Sequence, residues 1–408
     1  MPIQNIVMSS SILLEAANQF GTPTYFYDLN VTMNQYRKLY NAFKPLEVQL
    51  HYALKALNNI NILRVLKSEG AGLDAVSIEE IHLGLRAGYA PEKIMYTPNC
   101  VSFSEIQEAV ELGVHINLDN LSMLEKFGNE YGSRVPVCIR VNPHIMAGGN
   151  ANISVGHIDS KFGISIHQLR HVCRIVENYG MNIIGLHMHT GSDIIDPGVF
   201  LRGADLLYHA AEQFPDLKFM DFGSGFKVAY QEGEIVTDIE KIGVRITESF
   251  QEFCKSYGRD LELWFEPGKY IVSECGKLLV STNVVKQTTS TVFVGVNSGQ
   301  NHLLRPMFYN AYHKIDNISN PNGDRKLYSI VGNICESDTF GYDRMLNEVR
   351  EGDVLAISNA GAYGFSMSNQ YNARLRPAEV MLYNGELHLI RRRETIEDLY
   401  RTEIPVIE

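Results

Sequence analysis

At 408 residues, with 45% hydrophobic, 20% charged and 10% aromatic side chains, the chain has the composition of a globular protein long enough for two domains. Its 36 basic and 47 acidic residues leave a formal net charge of -11, which argues against nucleic acid or an anionic membrane surface as the main partner. No apolar run reaches transmembrane length, no basic-then-apolar leader opens the chain, and the six cysteines form no C-x-x-C pair, a pattern that points to reduced thiols and the cytoplasm.

The first strand-like piece, "TPTYFYDL" (22–29), fits either domain. From about residue 48 to 270, short apolar runs alternate with amphipathic ones. The apolar runs are "VQLHYALK", "AGLDAVS", "KIMYTPN", "HINLDN", "VPVCIRVNP", "IIGLHMHTGS", "LKFMDFGSG" and "LELWFEPGK". Between them lie helical patterns such as "NINILRVLKSEG" and "SIEEIHLGLRAG", several closed by a glycine (Gly70, Gly88, Gly113, Gly180). Eight strand-then-helix units are the count of a (β/α)8 TIM-type barrel, with a doubly wound open sheet as the alternative. The Gly/Asn-rich stretch 142–163 is a candidate lid. After residue 275 the helices drop out, and "KLLVSTNVVKQ", "TVFVGVNS", "KLYSIVGNIC", "DVLAISNAG" and "AEVMLYNGELHLIRR" read as strands, with a hairpin at Asn384-Gly385. The expected division is a barrel over 31–272 and a mainly antiparallel β domain from 1–30 and 273–408.

Barrel enzymes carry their chemistry at the C-terminal ends of the strands. Those positions hold Lys55, Asp74, Arg140, His187, His189, Ser192, Gly223, Gly225, Glu266 and Lys269. Lys55 ends an apolar run with no acid beside it, and a lysine in that setting either snorkels to solvent or does chemistry. "HMH" (187–189) has the alternation of a metal pair, but no later barrel strand adds a histidine, so no metal is expected. "DFGSGFKVAY" is a poor dinucleotide fingerprint, since Val228 stands where the third glycine belongs; late in a barrel it suits a phosphate instead. An amine able to form an imine, a phosphate loop and an acid for a ring nitrogen together meet the needs of pyridoxal 5'-phosphate.

With these motifs in place, the chain resembles the fold-type III pyridoxal-phosphate decarboxylases, and most closely the branch that acts on diaminopimelate, from about residue 23 to 383. The resemblance implies an alanine racemase-like barrel in which the lysine of "YALKA", Lys55, forms the imine with the cofactor. It implies that His189 of "HTGS" stacks on the ring and that Ser192 and the "GSG" segment, Gly223, Ser224 and Gly225, bind the phosphate. Glu266 would face the pyridine nitrogen, with Asp74, Arg140, Gly268, Lys269 and Tyr363 completing the cofactor site. In the β domain, "LLRPMFYNAYH" supplies Arg305 and Tyr309, "ICESD" supplies the proton donor Cys335 and the substrate acid Glu336, and "GAYGFSMSNQYN" supplies Tyr363, which contacts both cofactor and substrate. The family works as a homodimer with shared active sites, "ICESD" reaching into the neighbouring barrel. Two departures stand out: Gly-Ser-Gly replaces a triple glycine, and "EPGK" replaces "EPGR", so Lys269 keeps the charge of an arginine without its bidentate fork.

Charge argues for the substrate. A diamine precursor such as ornithine wants only an acid for its distal ammonium, whereas diaminopimelate also carries a distal carboxylate. Glu336 answers the first, and Arg305, with Lys269, the second. The expected reaction is decarboxylation of meso-2,6-diaminopimelate to L-lysine, the last step of lysine biosynthesis. The alternatives are a decarboxylase of carboxynorspermidine, ornithine or arginine, and a non-catalytic regulatory relative, which retention of both Lys55 and Cys335 disfavours.

Overall fold

The computed structural model describes residues 10–145 and 160–407, so most of the candidate lid, 146–159, lies outside the described residues. The chain forms two compact units. One comprises Met33–Ala229 and Ile235–Ile271; the other takes the described residues up to Thr32, Tyr230–Glu234 and those from Val272 onward.

In the first unit each of the eight apolar runs becomes a parallel strand: Val48–Ala53, Gly72–Ala75, Ile94–Tyr96, His115–Leu118, Val137–Asn142, Ile183–His187, Phe219–Asp221 and Glu262–Phe265. Each pairs with the next, and the last returns to the first through Leu263 beside Val48 and Phe265 beside Leu50. That closing register makes a barrel and rules out the open sheet. The strands are buried along nearly their whole length, which is why they read as continuous apolar runs rather than alternating ones. Between them the helices start where side chains cap them: Asn59 accepts from Asn61 N–H and Ser77 from Glu80 N–H. Gly88 and Gly180 end their helices at φ 93° and 60°, a left-handed turn that other residues resist. One core cluster joins Met95, Cys138, Ile184, Phe219 and Trp264, with the Phe219 and Trp264 rings stacked 3.7 Å apart.

The second unit is built on a nine-stranded sheet. Thr24–Asp28 belongs to it, antiparallel to Gly276–Gln287 and parallel to Ala378–Tyr383, which settles the place of the first strand-like piece. Val292–Val296 beside Arg325–Val331 is the other parallel pairing; the rest are antiparallel. Asn384 and Gly385, at φ 53° and 83°, form the two-residue turn that joins Ala378–Tyr383 to Glu386–Arg391. Two strands, Ile315–Asn317 and Thr339–Asn347, are additional to the pattern read from sequence.

Candidate active site

Barrel register decides which groups share a level. Ala53 lies beside Asp74, Arg140 beside His187, His187 beside Asp221, and Asp221 beside Trp264. Lys55 and Glu266 each follow two residues beyond one of these paired positions, so both emerge at the same rim.

Lys55 sits in a single 3-10 turn, Leu54–Ala56, directly after the first barrel strand. Its Nζ is 3.8 Å from Asp74 Oδ2; the lysine side chain is 45% exposed and the aspartate 1%. The acid missing from the local sequence therefore comes from the next strand. Burial, and then the neighbouring Glu266 charge, raise the Asp74 carboxyl to about 7, with Lys55 pulling the other way. Gly268 packs beneath the lysine turn, where a Cβ would lie 3.2 Å from those of Ala53 and Ala56.

Glu266 is held at three points. Its N–H donates to Gly223 O at 2.7 Å, its Oε2 accepts from His187 Nε2 at 3.0 Å, and its Oε1 accepts from Thr97 Oγ1 at 3.4 Å. Burial favours its neutral form, but the His187 contact and the Lys55 and Arg140 charges outweigh it and keep the group a carboxylate. Burial in turn lowers His187, which is the neutral donor of the pair. Asp221 is fully buried; burial and the Glu266 charge raise it well above the usual range, so it keeps its proton, and its Oδ1 accepts Gly223 N–H at 2.7 Å. The donor atoms of His187, Asp221 and Glu266 lie within 4.8 Å of one another, a spacing that a metal could bridge. Two of the three are already hydrogen-bonded to each other, His187 to Glu266.

The "GSG" turn is pressed against the "HTGS" loop. Gly223 has φ 64°, and a Cβ on it would lie 2.6 Å from Met188 O; Gly225 has φ 126°, and a Cβ there would lie 2.6 Å from Gly191 O. Neither position admits a side chain. Ser224 between them has no positive φ and is only half-buried, so the departure from a triple glycine falls where a side chain fits. Ser224 N–H donates to His189 Nδ1 at 3.2 Å; burial, then the Lys55 and Arg140 charges, hold that imidazole neutral. Ser192 is half-buried in the same loop. Arg140 is buried, its guanidinium 4.9 Å from the Phe162 ring centroid, and burial lowers its pKa. Lys269 is ion-paired with Asp193, a partner that the sequence reading did not identify. The second departure thus places a cation on a loop acid.

In the other unit, the Arg305 guanidinium is ringed by Tyr230, Tyr309 and Tyr363 at 5.4, 5.7 and 5.9 Å. Among the described residues no carboxylate pairs with it. Cys335 and Glu336 are exposed and neighbour Tyr371 and Asn372, which the sequence reading passed over. Sequence reasoning likewise placed His187 at a strand end without giving it a role and missed Asp221, Thr97 and Asp193; strand-end position could have flagged Asp221 and Thr97, which end or follow barrel strands.

The first unit corresponds to a known family. The model for "Pyridoxal-dependent decarboxylase, pyridoxal binding domain" matches residues 29–273. The chain belongs to the pyridoxal-dependent decarboxylases. It is 38% identical over 407 residues to a diaminopimelate decarboxylase of Methanothermobacter thermautotrophicus, covering 97% of this chain and 95% of that one. It is 33% identical over 411 residues to the diaminopimelate decarboxylase of Bacillus subtilis, covering 96% and 93%. Among solved structures, diaminopimelate decarboxylase from Helicobacter pylori complexed with L-lysine superposes with a TM-score of 0.89 at 32% identity, over 96% of this chain and 99% of that one. The cofactor of this decarboxylase is pyridoxal phosphate, and the barrel fits it. The two jammed glycines leave a cradle that a Cβ would fill, the rim amine is Lys55, and the buried acid kept ionised is Glu266.

Proposed function

We propose that this decarboxylase acts on meso-2,6-diaminopimelate, yielding L-lysine and carbon dioxide in the cytoplasm, and that it works as a homodimer with shared sites. The cofactor, when bound, takes up the electron pair left on the α-carbon as carbon dioxide departs. Lys55, the amine at the barrel rim, would hold the cofactor through its aldehyde. Glu266, fixed by His187 and Thr97, keeps a proton on the ring nitrogen, a task that needs it ionised as it is here. The Gly223–Gly225 segment and Ser192 would hold the phosphate, and His189, Asp74, Arg140 and Gly268 would line the rest of the site.

Arg305 carries the substrate choice. A half-buried guanidinium with aromatic neighbours and no carboxylate partner among the described residues suits a distal carboxylate. Ornithine would leave it without one. Glu336 takes the distal ammonium, Tyr309 and Tyr363 line the substrate, and Lys269 borders it with its charge balanced by Asp193. Cys335 returns a proton to the α-carbon, reaching from one chain into the site that holds the other chain's Lys55.

Carbon dioxide release from purified protein loaded with cofactor, measured on diaminopimelate, ornithine, arginine and carboxynorspermidine, tests the reading. Diaminopimelate alone should turn over well, and Arg305→Ala should abolish its advantage. Preference for ornithine or arginine would overturn the substrate assignment.

A further inference from the structure

Cys335 stands among side chains that the mechanism above does not use. Its N–H donates to Asn372 Oδ1 at 2.8 Å, while Asn372 Nδ2 donates back to its Sγ at 3.2 Å. One amide thus grips both the backbone and the sulfur of a single residue. Tyr371 OH lies 3.4 Å from the same Sγ and 2.8 Å from Glu336 Oε1, so its one proton serves either the carboxylate or an ionised sulfur. The grip is itself fixed. Asn372 sits at φ 57°, a left-handed conformation that asparagine adopts more readily than most residues. Tyr371 N–H is tied to Asn369 Oδ1 at 2.9 Å, and Arg374 donates to Asn333 O at 2.9 Å, linking the two segments again. Glu336 and Tyr371 also line a cavity of about 410 Å³ with Gln300, Asn301, Leu304 and Asn369.

We propose that Tyr371 and Asn372 are positioning residues for the Cys335 thiol: together they fix where the sulfur points and set how readily it gives up its proton. The inference rests on the reading of Cys335 as the proton donor. A thiol that protonates a carbanion must be held in line with the carbon, and it works best when its acidity lies near the operating pH. A free cysteine meets neither need, since its side chain rotates and its pKa is about 8.5.

The charges around the sulfur give the expected sign. Hydrogen bonds from Tyr371, then Asn372, lower the thiol below its ordinary value, and the Glu336 carboxylate next to it opposes them. Asp338 lies on the same segment and is raised to about 6, chiefly by burial. Arg374 is engaged by the Asn333 carbonyl. Removing either donor should therefore raise the thiol pKa.

The experiment follows alkylation of Cys335 by iodoacetamide as a function of pH in the cofactor-loaded enzyme, with the Cys335 peptide read by mass spectrometry. Tyr371→Phe removes the hydroxyl and keeps the ring; Asn372→Gly removes the amide and tolerates the positive φ. Each variant should raise the alkylation midpoint and shift the alkaline limb of the kcat profile the same way; in Asn372→Gly, which leaves the Glu336 contact intact, KM should change little. Circular dichroism and thermal melting establish that both variants fold. Midpoints equal to wild type in both folded variants would overturn the proposal. Failure of the proton-donor reading looks different: Cys335→Ser would keep its turnover, while the alkylation midpoints in the two variants still moved.

Discussion

Replacing Asp74 by asparagine tests the electrostatics of the barrel rim through stability alone. The Asp74 carboxyl rises from 3.8 to about 7 on folding, because it is buried and lies near the Glu266 charge. A native state that holds this proton more tightly than the unfolded chain loses stability as pH climbs. The loss is absent below about pH 4, grows between about pH 4 and 7, and is complete above that window. A rise of roughly 3 units, at about 1.36 kcal/mol each, sets an upper figure of ~4 kcal/mol. Water reaching the half-exposed Lys55 screens the site, so ~2 kcal/mol is the working figure. Asparagine has no proton to lose and keeps the shape. At about 2–4 °C per kcal/mol for a domain of this size, cofactor-free Asp74→Asn should melt ~6 °C above wild type at pH 8.5. At pH 4.5 the two should nearly coincide. Differential scanning calorimetry at both pH values measures this. An equal shift at both, or a variant less stable at pH 8.5, would refute the argument that the rim stores unfavourable charge.

Gly185→Ala would bring a Cβ to 2.2 Å from the Phe219 ring, which is already stacked on Trp264, and should cost ~2–3 kcal/mol, read as a lower denaturation midpoint; an unchanged midpoint would show that the ring is free to move. Lys269→Arg should preserve turnover, because arginine keeps the pair with Asp193 and adds a second parallel hydrogen bond; loss of turnover would give the lysine a role of its own. Mixing Lys55→Ala and Cys335→Ala chains, each nearly inactive, should restore roughly a quarter of wild-type activity, since random pairing makes about half the dimers mixed and each mixed dimer has one intact site of two. No recovery after confirmed subunit exchange would place Cys335 in its own chain's site or outside the chemistry.

The barrel was legible because its strands are covered on both faces, which turns each into an uninterrupted apolar run at regular spacing. The Asn384-Gly385 hairpin was legible because that dipeptide supplies the two positive φ angles the turn needs. Thr339–Asn347 was not: its middle, Tyr342 to Met345, carries Asp343 and Arg344, with a left-handed φ of 48° at Asp343 and a register shift nearby, so period-two patterning fails there. In the site, strand-end position identified Lys55, Asp74 and Glu266, because parallel strands deliver their last residues to one rim. The partners of those residues were hidden. Asp193 reaches Lys269 across 76 positions and His187 reaches Glu266 across 79, separations that only the closed barrel makes short.

Whether Lys55 holds the cofactor is the point on which the account stands, and borohydride reduction followed by peptide mapping addresses it directly. Protein purified with pyridoxal phosphate, reduced, digested and analysed by mass spectrometry should carry one pyridoxyl group on the peptide containing Lys55, and Lys55→Ala should carry none. A pyridoxyl group on a different lysine, or an unlabelled protein after loading with cofactor, would contradict it.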